Sequence, residues 1–302
     1  MKLRFFAICL LLAGCSGAGE DSPDVNMDMA AELAATEVQD DAASEVVLEP
    51  EKPDRFTISI SESRGITSET GFAYGTAGFA PATVEKHGFV LEAGECYFLR
   101  PDLPKNCDPP CQPGTVCSYV TGSCHPPFPH WSAGTIIVEG LDVGLTIAPE
   151  TRHHYYLPVF TPEPEDGEIF SAHSVITASA PGDDVPEFTV TGSGVAGIVT
   201  PLPCPQGATA GNDLQVAWES SDNGADVRFS MQSGNHGAHF SSIHCLSSDD
   251  GEITVDAALI DLYLAEQRPV EAWQLSRFAT TTIVQQETTV ELKVSSSVSC
   301  SY

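Results

Sequence analysis

The sequence predicts an all-β protein: an antiparallel β-sandwich with a short disulfide-rich insertion and one short helix. Two observations indicate this class. Throughout residues 55–302, apolar residues recur at every second position of short segments, as half-buried strands require. Glycine, proline, asparagine and aspartate separate the segments, which is typical of strands joined by turns. The segments are RFTISISES, GTIIVEG, HHYYLPVF, EFTVTG, LQVAWESS, DVRFSMQSG and TVELKVS.

Within residues 55–302, strong helical periodicity occurs once, in residues 256–266. Five apolar residues in this segment are spaced to cover one side of a short helix, and Pro269 is expected to end it. They are Ala257, Leu259, Ile260, Leu262 and Leu264. Among the strands, the alternation of LQVAWESS places Trp218 in the core.

The first 15 residues have the pattern of an export signal. Lys2 and Arg4 precede an apolar run, 5–13, that is too short to cross a bilayer as a helix. The run ends in LAGC, residues 12–15, which resembles the lipobox of bacterial lipoproteins. This resemblance implies a signal peptide at 1–14, cleavage before Cys15, a diacylglyceryl thioether on its sulfur and an acyl group such as palmitate on its amine. The alternative is an ordinary signal in which Cys15 is incidental.

A lipidated Cys15 would make the membrane the first partner of the chain. Several acyl chains together hold a protein stably on a bilayer, at about 0.8 kcal/mol per buried CH₂. The resemblance also implies a destination, because Ser16 rather than Asp follows the lipid-bearing cysteine. We expect a lipid-anchored protein of the outer membrane, and its body faces either the periplasm or the cell surface.

Residues 15–54 predict a disordered, acidic tether. Residues 16–54 contain 12 acidic residues, one lysine and no aromatic residue, a composition that cannot bury enough apolar surface to fold. A transient helix in 27–38 is the alternative, because that stretch is rich in alanine, glutamate and leucine. The chain as a whole has a formal charge of −29, which argues against a nucleic-acid partner.

The remaining cysteines predict disulfides. Once Cys9 leaves with the signal and Cys15 is lipidated, an even number is left in an exported chain. The eight are Cys96, Cys107, Cys111, Cys117, Cys124, Cys204, Cys245 and Cys300. Four of them fall in the predicted insertion, 105–129, without the paired C-x2-C spacing of zinc or redox sites. Prolines and glycines between these four favour turns rather than a helix or ladder.

Two further resemblances concern the body. The spacing C-x3-C-x5-C-x6-C is similar to half of an EGF-like or trypsin-inhibitor-like knot, which implies the pairs Cys107–Cys117 and Cys111–Cys124. The order LQVAWESS, VRFSMQSGNHG, IHCLSSDDGEITVDAALIDLYL and QLSRF resembles the C-terminal part of uncharacterised Cys-rich lipoproteins of Gram-negative bacteria. That likeness implies a fold and a location but no activity.

Candidate chemistry is sparse. The sequence lacks G-x-S-x-G, a Walker loop, H-E-x-x-H and an EF-hand loop. His236, His239 and His244, followed by Asp249 and Asp250, could ligate zinc or copper. The alternative is a polar hairpin tip followed by an ordinary strand. The acidic turns 163–168 and 249–252 could bind calcium through carboxylate oxygens, although no cofactor is required by the sequence.

These observations favour a non-catalytic, lipid-anchored envelope or surface protein. We expect a binding or adhesion module on a flexible stalk, with an extracellular or periplasmic ligand. One alternative is a carbohydrate-active or other hydrolytic β-sandwich enzyme, which needs two carboxylates facing a cleft. The other is a metal-binding lipoprotein that uses the three histidines.

Overall fold

The computed structural model describes most of the body. The described residues are 54–66, 71–79, 88–100, 107–117, 122–125, 131–149, 156–161, 168–204, 207–221, 224–233, 241–266 and 270–301. The signal peptide predicted at 1–14, Cys15 and all but the last residue of the tether predicted at 15–54 lie outside them. Within the described residues, no helix is long and apolar enough to span a bilayer.

The described chain consists of strands with a single short helix, as predicted. The strands in chain order are β1 Arg55–Gly65, β2 Gly71–Phe79, β3 Phe89–Ala93, β4 Cys96–Leu99, β5 Val116–Cys117, β6 Cys124–His125, β7 Ile136–Glu139, β8 Gly144–Pro149, β9 Tyr156–Thr161, β10 Val175–Ala180, β11 Phe188–Ser193, β12 Leu214–Ala217, β13 Asp226–Ser233, β14 Ser241–Ser248, β15 Glu252–Val255, β16 Val270–Gln285 and β17 Thr288–Ser301. Helix α1 spans Ala257–Ala265.

Two large sheets and two small ones form the described part of the body. An eight-stranded sheet has the order β2-β1-β17-β16-β13-β14-β4-β3, and a five-stranded sheet has the order β11-β10-β7-β8-β9. Strands β12 and β15 form one pair, and β5 and β6 form another. The prediction of an all-β sandwich is therefore confirmed.

One pairing corrects the expectation that the sandwich is purely antiparallel. Strand β1 runs parallel to β17, in register from Arg55 opposite Thr289 to Gly65 opposite Ser299. The other pairings among the described strands are antiparallel. Because β1 and β17 lie at opposite ends of the body sequence, no tight turn joins them, and a parallel pair becomes possible.

The first hydrophobic core joins the five-stranded sheet to β1 and β17. Alternate residues of β1 and β17 are fully buried there, among them Phe56, Ile58 and Leu292. They pack with residues of β7, β8, β10 and β11 such as Ile147 and Phe188. The alternation predicted from RFTISISES and TVELKVS therefore has its apolar half in this core.

The second core lies under the other half of the eight-stranded sheet. Trp273 and Leu275 of β16 and Phe229 of β13 pack there with β12, β15 and α1. Trp218 is 6 % exposed and belongs to this core, as predicted from its strand pattern. The eight-stranded sheet is thus long enough to cover two cores with one of its faces.

Helix α1 begins and ends near the predicted positions. The carboxylate of Asp256 accepts a hydrogen bond from the backbone N–H of Ala258 at 2.7 Å and caps the first turn. The helix buries Leu259, Ile260 and Tyr263 in the second core. Leu259 and Ile260 are among the apolar residues predicted to cover one side of the helix, whereas Tyr263 was not predicted and adds to the buried side.

Disulfides tie the strands together. Cys96 and Cys245 occupy directly opposite positions on β4 and β14, and Cys204 is joined to Cys300 near the end of β17. The insertion contains Cys107–Cys117 and Cys111–Cys124, which are the pairs that the resemblance implies. The expectation of turns without a ladder is wrong, because β5 and β6 pair at Cys117 opposite Cys124. Disulfide bonds at both positions bring these short segments together.

Candidate ligand-binding face

The face of the eight-stranded sheet that points away from both cores, here called the outer face, is polar. It is built by the alternate positions that the cores do not use: Ser59 and Ser61 of β1, Lys293 and Ser295 of β17, Gln274, Ser276 and Phe278 of β16, and Arg228 of β13. The strand period of two therefore separates an apolar inner face from a face rich in hydroxyls.

Strand register brings these side chains side by side. Ser61 lies opposite Tyr74 of β2 on one side and Ser295 of β17 on the other, and Ser295 lies opposite Phe278 of β16. One residue pair further along, Ser59 lies opposite Lys293. Side chains directly opposite one another are near enough to interact, so the five strands β2 to β13 contribute to one continuous surface.

A depression with a volume of about 220 Å³ opens on this surface. Six hydroxyl-bearing residues line it, together with the amide of Gln274 and the ring of Phe278: Ser59, Ser61, Tyr74, Thr76, Ser276 and Ser295. Ser61 and Ser295 are buried and their Oγ atoms are 2.6 Å apart, so they form a linked floor. Tyr74 and Thr76 on β2 are exposed and form a wall.

Two cations complete the lining. The Nζ atom of Lys293 lies 4.1 Å from the ring centroid of Phe278, and the guanidinium carbon of Arg228 lies 5.3 Å from the same centroid. Both distances allow cation–π attraction. Among the described residues, neither cation has a carboxylate within ion-pair distance, and the described lining contains no acidic residue.

The electrostatics of Lys293 follow from this setting. Burial and, to a smaller extent, the positive charge of Arg228 lower the pKa of Lys293 to about 8, although Glu291 on the same strand acts to raise it. The lysine is therefore charged at neutral pH but loses its proton in the mildly alkaline range. Hydroxyls, an amide, an aromatic ring and two cations can bind a polar ligand through hydrogen bonds and charge attraction.

The predicted histidine cluster is only partly described. His236 and His239 lie outside the described residues, and His244 sits on the outer face of β14. The Nε2 atom of His244 is 2.9 Å from Ser242 Oγ, and its ring centroid is 5.4 Å from that of Tyr97. Burial lowers the pKa of His244, and the charge of Arg228 acts in the same direction, so the ring is neutral at pH 7.

In two other candidate metal sites, the ligand atoms of described residues are engaged in other bonds. Within the described part of the chain, the one group of metal-ligand spacing is Cys107, Cys111 and Cys117, and all three sulfurs are in disulfides. In the acidic turn 249–252, both carboxylate oxygens of Asp249 bind the side chain of Arg277. Asp249 is therefore engaged, and residues 163–167 of the other acidic turn lie outside the described residues.

No family model, curated protein or solved structure matches the chain. Sequence reasoning missed Lys293, Arg228 and the serines around them, because it used the alternation in TISISES, VRFSMQS and VELKVS only to find the buried half. The signal was the other half of the same pattern, in which hydroxyls and cations share the second face.

Proposed function

We propose that the chain is a non-catalytic binding module whose ligand occupies the depression on the outer face. One observation carries the proposal: six hydroxyl-bearing residues and two cations from five adjacent strands line a single depression. Sites built on rigid strands hold their side chains in fixed positions, which favours recognition of a specific ligand.

The same lining argues for binding over glycoside hydrolysis. A glycosidase needs two carboxyl groups about 5–9.5 Å apart and facing a cleft. In the described part of the chain, the lining of the depression offers no carboxylate. The described lining is instead suited to hydrogen bonding and charge attraction, which hold a ligand without transforming it.

The proposal includes an anchor. The basic start, the apolar run and LAGC at 12–15 support lipidation of Cys15, and the acidic segment 16–54 supports a tether between the lipid and the body. A self-repelling chain of this length spans tens of ångströms, on the order of 5–6 Å × √n or more. The module then works at the outer membrane, on its periplasmic face or at the cell surface.

The binding proposal is tested with the soluble Cys15→Ser full chain. Thr76 of β2 is exposed and lines the depression. Thr282 of β16 is also exposed on the outer face, but it does not line the depression. Thr76→Trp should fill the depression and abolish retention on a panel of immobilised oligosaccharides and peptides. Thr282→Trp is the matched control and should leave retention unchanged. Equal retention of both variants would overturn the outer face as the binding surface.

The anchor is tested separately. The Cys15→Ser chain should leave the membrane fraction or remain unprocessed, because only a thiol can carry the thioether. Protease shaving of intact cells that carry the wild-type chain then distinguishes the two faces of the membrane. A Cys15→Ser chain that is cleaved yet remains in the membrane would contradict the anchor.

A further inference from the structure

We propose that the depression binds an acidic saccharide, with its carboxylate between Lys293 and Arg228 and its hydroxyls against the serine-lined floor. The inference rests on the proposed function and adds the chemical class of the ligand.

Charge is the first argument. The chain has 13 basic and 42 acidic residues, so its overall field repels anions. Against this background, Lys293 and Arg228 stand over one Phe278 ring with no acidic residue in the described lining. Two like charges held close together repel each other, and an anion placed between them relieves that repulsion. A carboxylate offers this charge and can also accept hydrogen bonds from both cations.

The charged groups around Lys293 leave room for such an anion. Glu291 of the same strand is the acidic residue nearest to Lys293 along the chain. Its carboxylate lies 4.0 Å from the guanidinium of Arg55, with which it forms an ion pair. Asp226 of β13 is exposed and lies opposite Phe278 in the register, but it does not line the depression. The remaining neighbours of Lys293 in the lining, from β1 and β2, are uncharged hydroxyls and the phenol of Tyr74.

Hydroxyl chemistry is the second argument. A serine or threonine hydroxyl both donates and accepts hydrogen bonds, which matches the hydroxyls of a sugar better than it matches a bare anion. The Ser61–Ser295 pair fixes two such groups at the floor, and Gln274 is held by a hydrogen bond of 3.2 Å from its Nε2 to Ser297 Oγ. Tyr74 is 38 % exposed and offers an aromatic ring to the apolar side of a sugar.

Size is the third argument. A volume of 220 Å³ lies below the ~300–1,000 Å³ of sites for drug-sized ligands. The depression therefore fits about one sugar residue of a longer chain rather than a folded partner.

The test measures the affinity of the soluble Cys15→Ser full chain for oligogalacturonate, with a neutral galactose oligomer of equal length as the matched ligand. The acidic oligomer should bind at least tenfold more tightly. Lys293→Met should weaken acidic binding about tenfold or more. Arg100→Gln removes a cation that pairs with Glu266 outside the depression, and it should leave the affinity unchanged.

The pH dependence gives a second readout. Because Lys293 has a pKa of about 8, the affinity of the wild-type chain for the acidic oligomer should fall as the pH rises from 7 to 9. Lys293→Arg keeps its charge throughout that range, so its affinity should stay nearly constant. A wild-type chain and a Lys293→Arg variant with the same pH profile would overturn the role of Lys293.

The remaining outcomes separate the two proposals. Equal binding of neutral and acidic oligomers that is lost in Thr76→Trp would overturn the acidic class and leave the binding module intact. Retention of peptides alone, lost in Thr76→Trp, would do the same. Acidic binding that appears only after the carboxylates of the acidic segment 16–54 are neutralised would identify that segment of the chain itself as the occupant and overturn the saccharide. Retention of no ligand by the wild-type chain would overturn both proposals.

Discussion

Arg277 and Asp249 form a buried, two-contact ion pair between β16 and the turn after β14. The Nε and Nη2 atoms of Arg277 lie 2.8 Å and 3.0 Å from the two carboxylate oxygens, and the side chains are 1 % and 3 % exposed. Asp249 also accepts hydrogen bonds from Trp218 Nε1 and from Ser221. The guanidinium donates as well to the backbone carbonyls of Ala196, Gly197 and Glu219.

Removal of one partner of this ion pair should destabilise the body strongly. Arg277→Met leaves the Asp249 carboxylate buried without its cation, which should lower the free energy of unfolding by ~3–5 kcal/mol. The double variant Arg277→Met/Asp249→Leu removes both charges and should recover part of that loss. Urea unfolding at pH 7 measures all three chains. If the free energy of unfolding of Arg277→Met lies within about 1 kcal/mol of the wild-type value, the ion pair is not buried as described.

Glu62 should make stability fall as the pH rises. Burial raises its pKa above the ordinary value of 4.5 and Asp142 adds to that, although hydrogen bonds from Ser296 and Ile169 N–H and the charge of Arg64 oppose it. The folded state therefore holds the proton of Glu62 more tightly than the unfolded chain does. The free energy of unfolding falls as the pH rises from 4.5 to the raised pKa. Glu62→Gln should be more stable than wild type at pH 7.

The control for Glu62 is the same pair of chains at low pH. Below pH 4.5 the carboxyl is protonated in both the folded and unfolded states, so the advantage of Glu62→Gln should shrink. Thermal unfolding at pH 4 and pH 7 measures the difference. An advantage that is equal at both values would show that the charge of Glu62 is not its cause.

Gly140 and Gly94 provide a matched test of turn packing. Both have positive φ, 86° and 59°, which costs an L-residue with a side chain roughly 1–2 kcal/mol. A Cβ at Gly140 would lie 1.9 Å from the carbonyl oxygen of Val175, whereas one at Gly94 would meet no described atom within 4 Å. Gly140→Ala should therefore lose clearly more unfolding free energy than Gly94→Ala. Equal losses in chemical denaturation would contradict the close approach of this turn to β10.

The insertion should open before the sheets when the disulfides are reduced. Cys107, Cys111, Cys117 and Cys124 are half-buried or exposed, whereas Cys96 and Cys245 are 0 % and 1 % exposed. Titration with a mild reductant, followed by alkylation and peptide mass spectrometry, should label the insertion first while the β-sheet circular dichroism persists. The non-reduced protein should contain no zinc. Early labelling of Cys96 would contradict this order.

The fold could be predicted largely because its strands alternate cleanly. Phe56, Ile58 and Ile60 mark the buried half of β1 by sequence alone, and Asp256 with the apolar residues after it marks α1. The parallel pairing of β1 with β17 could not be predicted, because partners at opposite ends of a chain leave no local turn signal. The long sheet that covers two cores depends on the same non-local pairing.

The candidate site was hidden for a related physical reason. Lys293, Arg228 and Tyr74 are far apart in sequence, and only the register of five strands brings them to one depression. The cysteines differ from this site, because an even number of them in a chain with an export signal already predicts disulfide bonds. The three histidines lie within nine residues of one another in sequence, yet His244 contacts Ser242 and Tyr97 in the described structure.

Chemical-shift mapping of the isotope-labelled, soluble Cys15→Ser full chain tests the central claim most directly. Titration with oligogalacturonate should shift the amide signals of Ser59, Ser61, Ser276 and Lys293 together, in one saturable process, and these shifts should vanish in Thr76→Trp. Thr282→Trp should retain them. Saturable shifts confined to the five-stranded sheet or to the cysteine-rich insertion, with the outer face unchanged, would contradict the account.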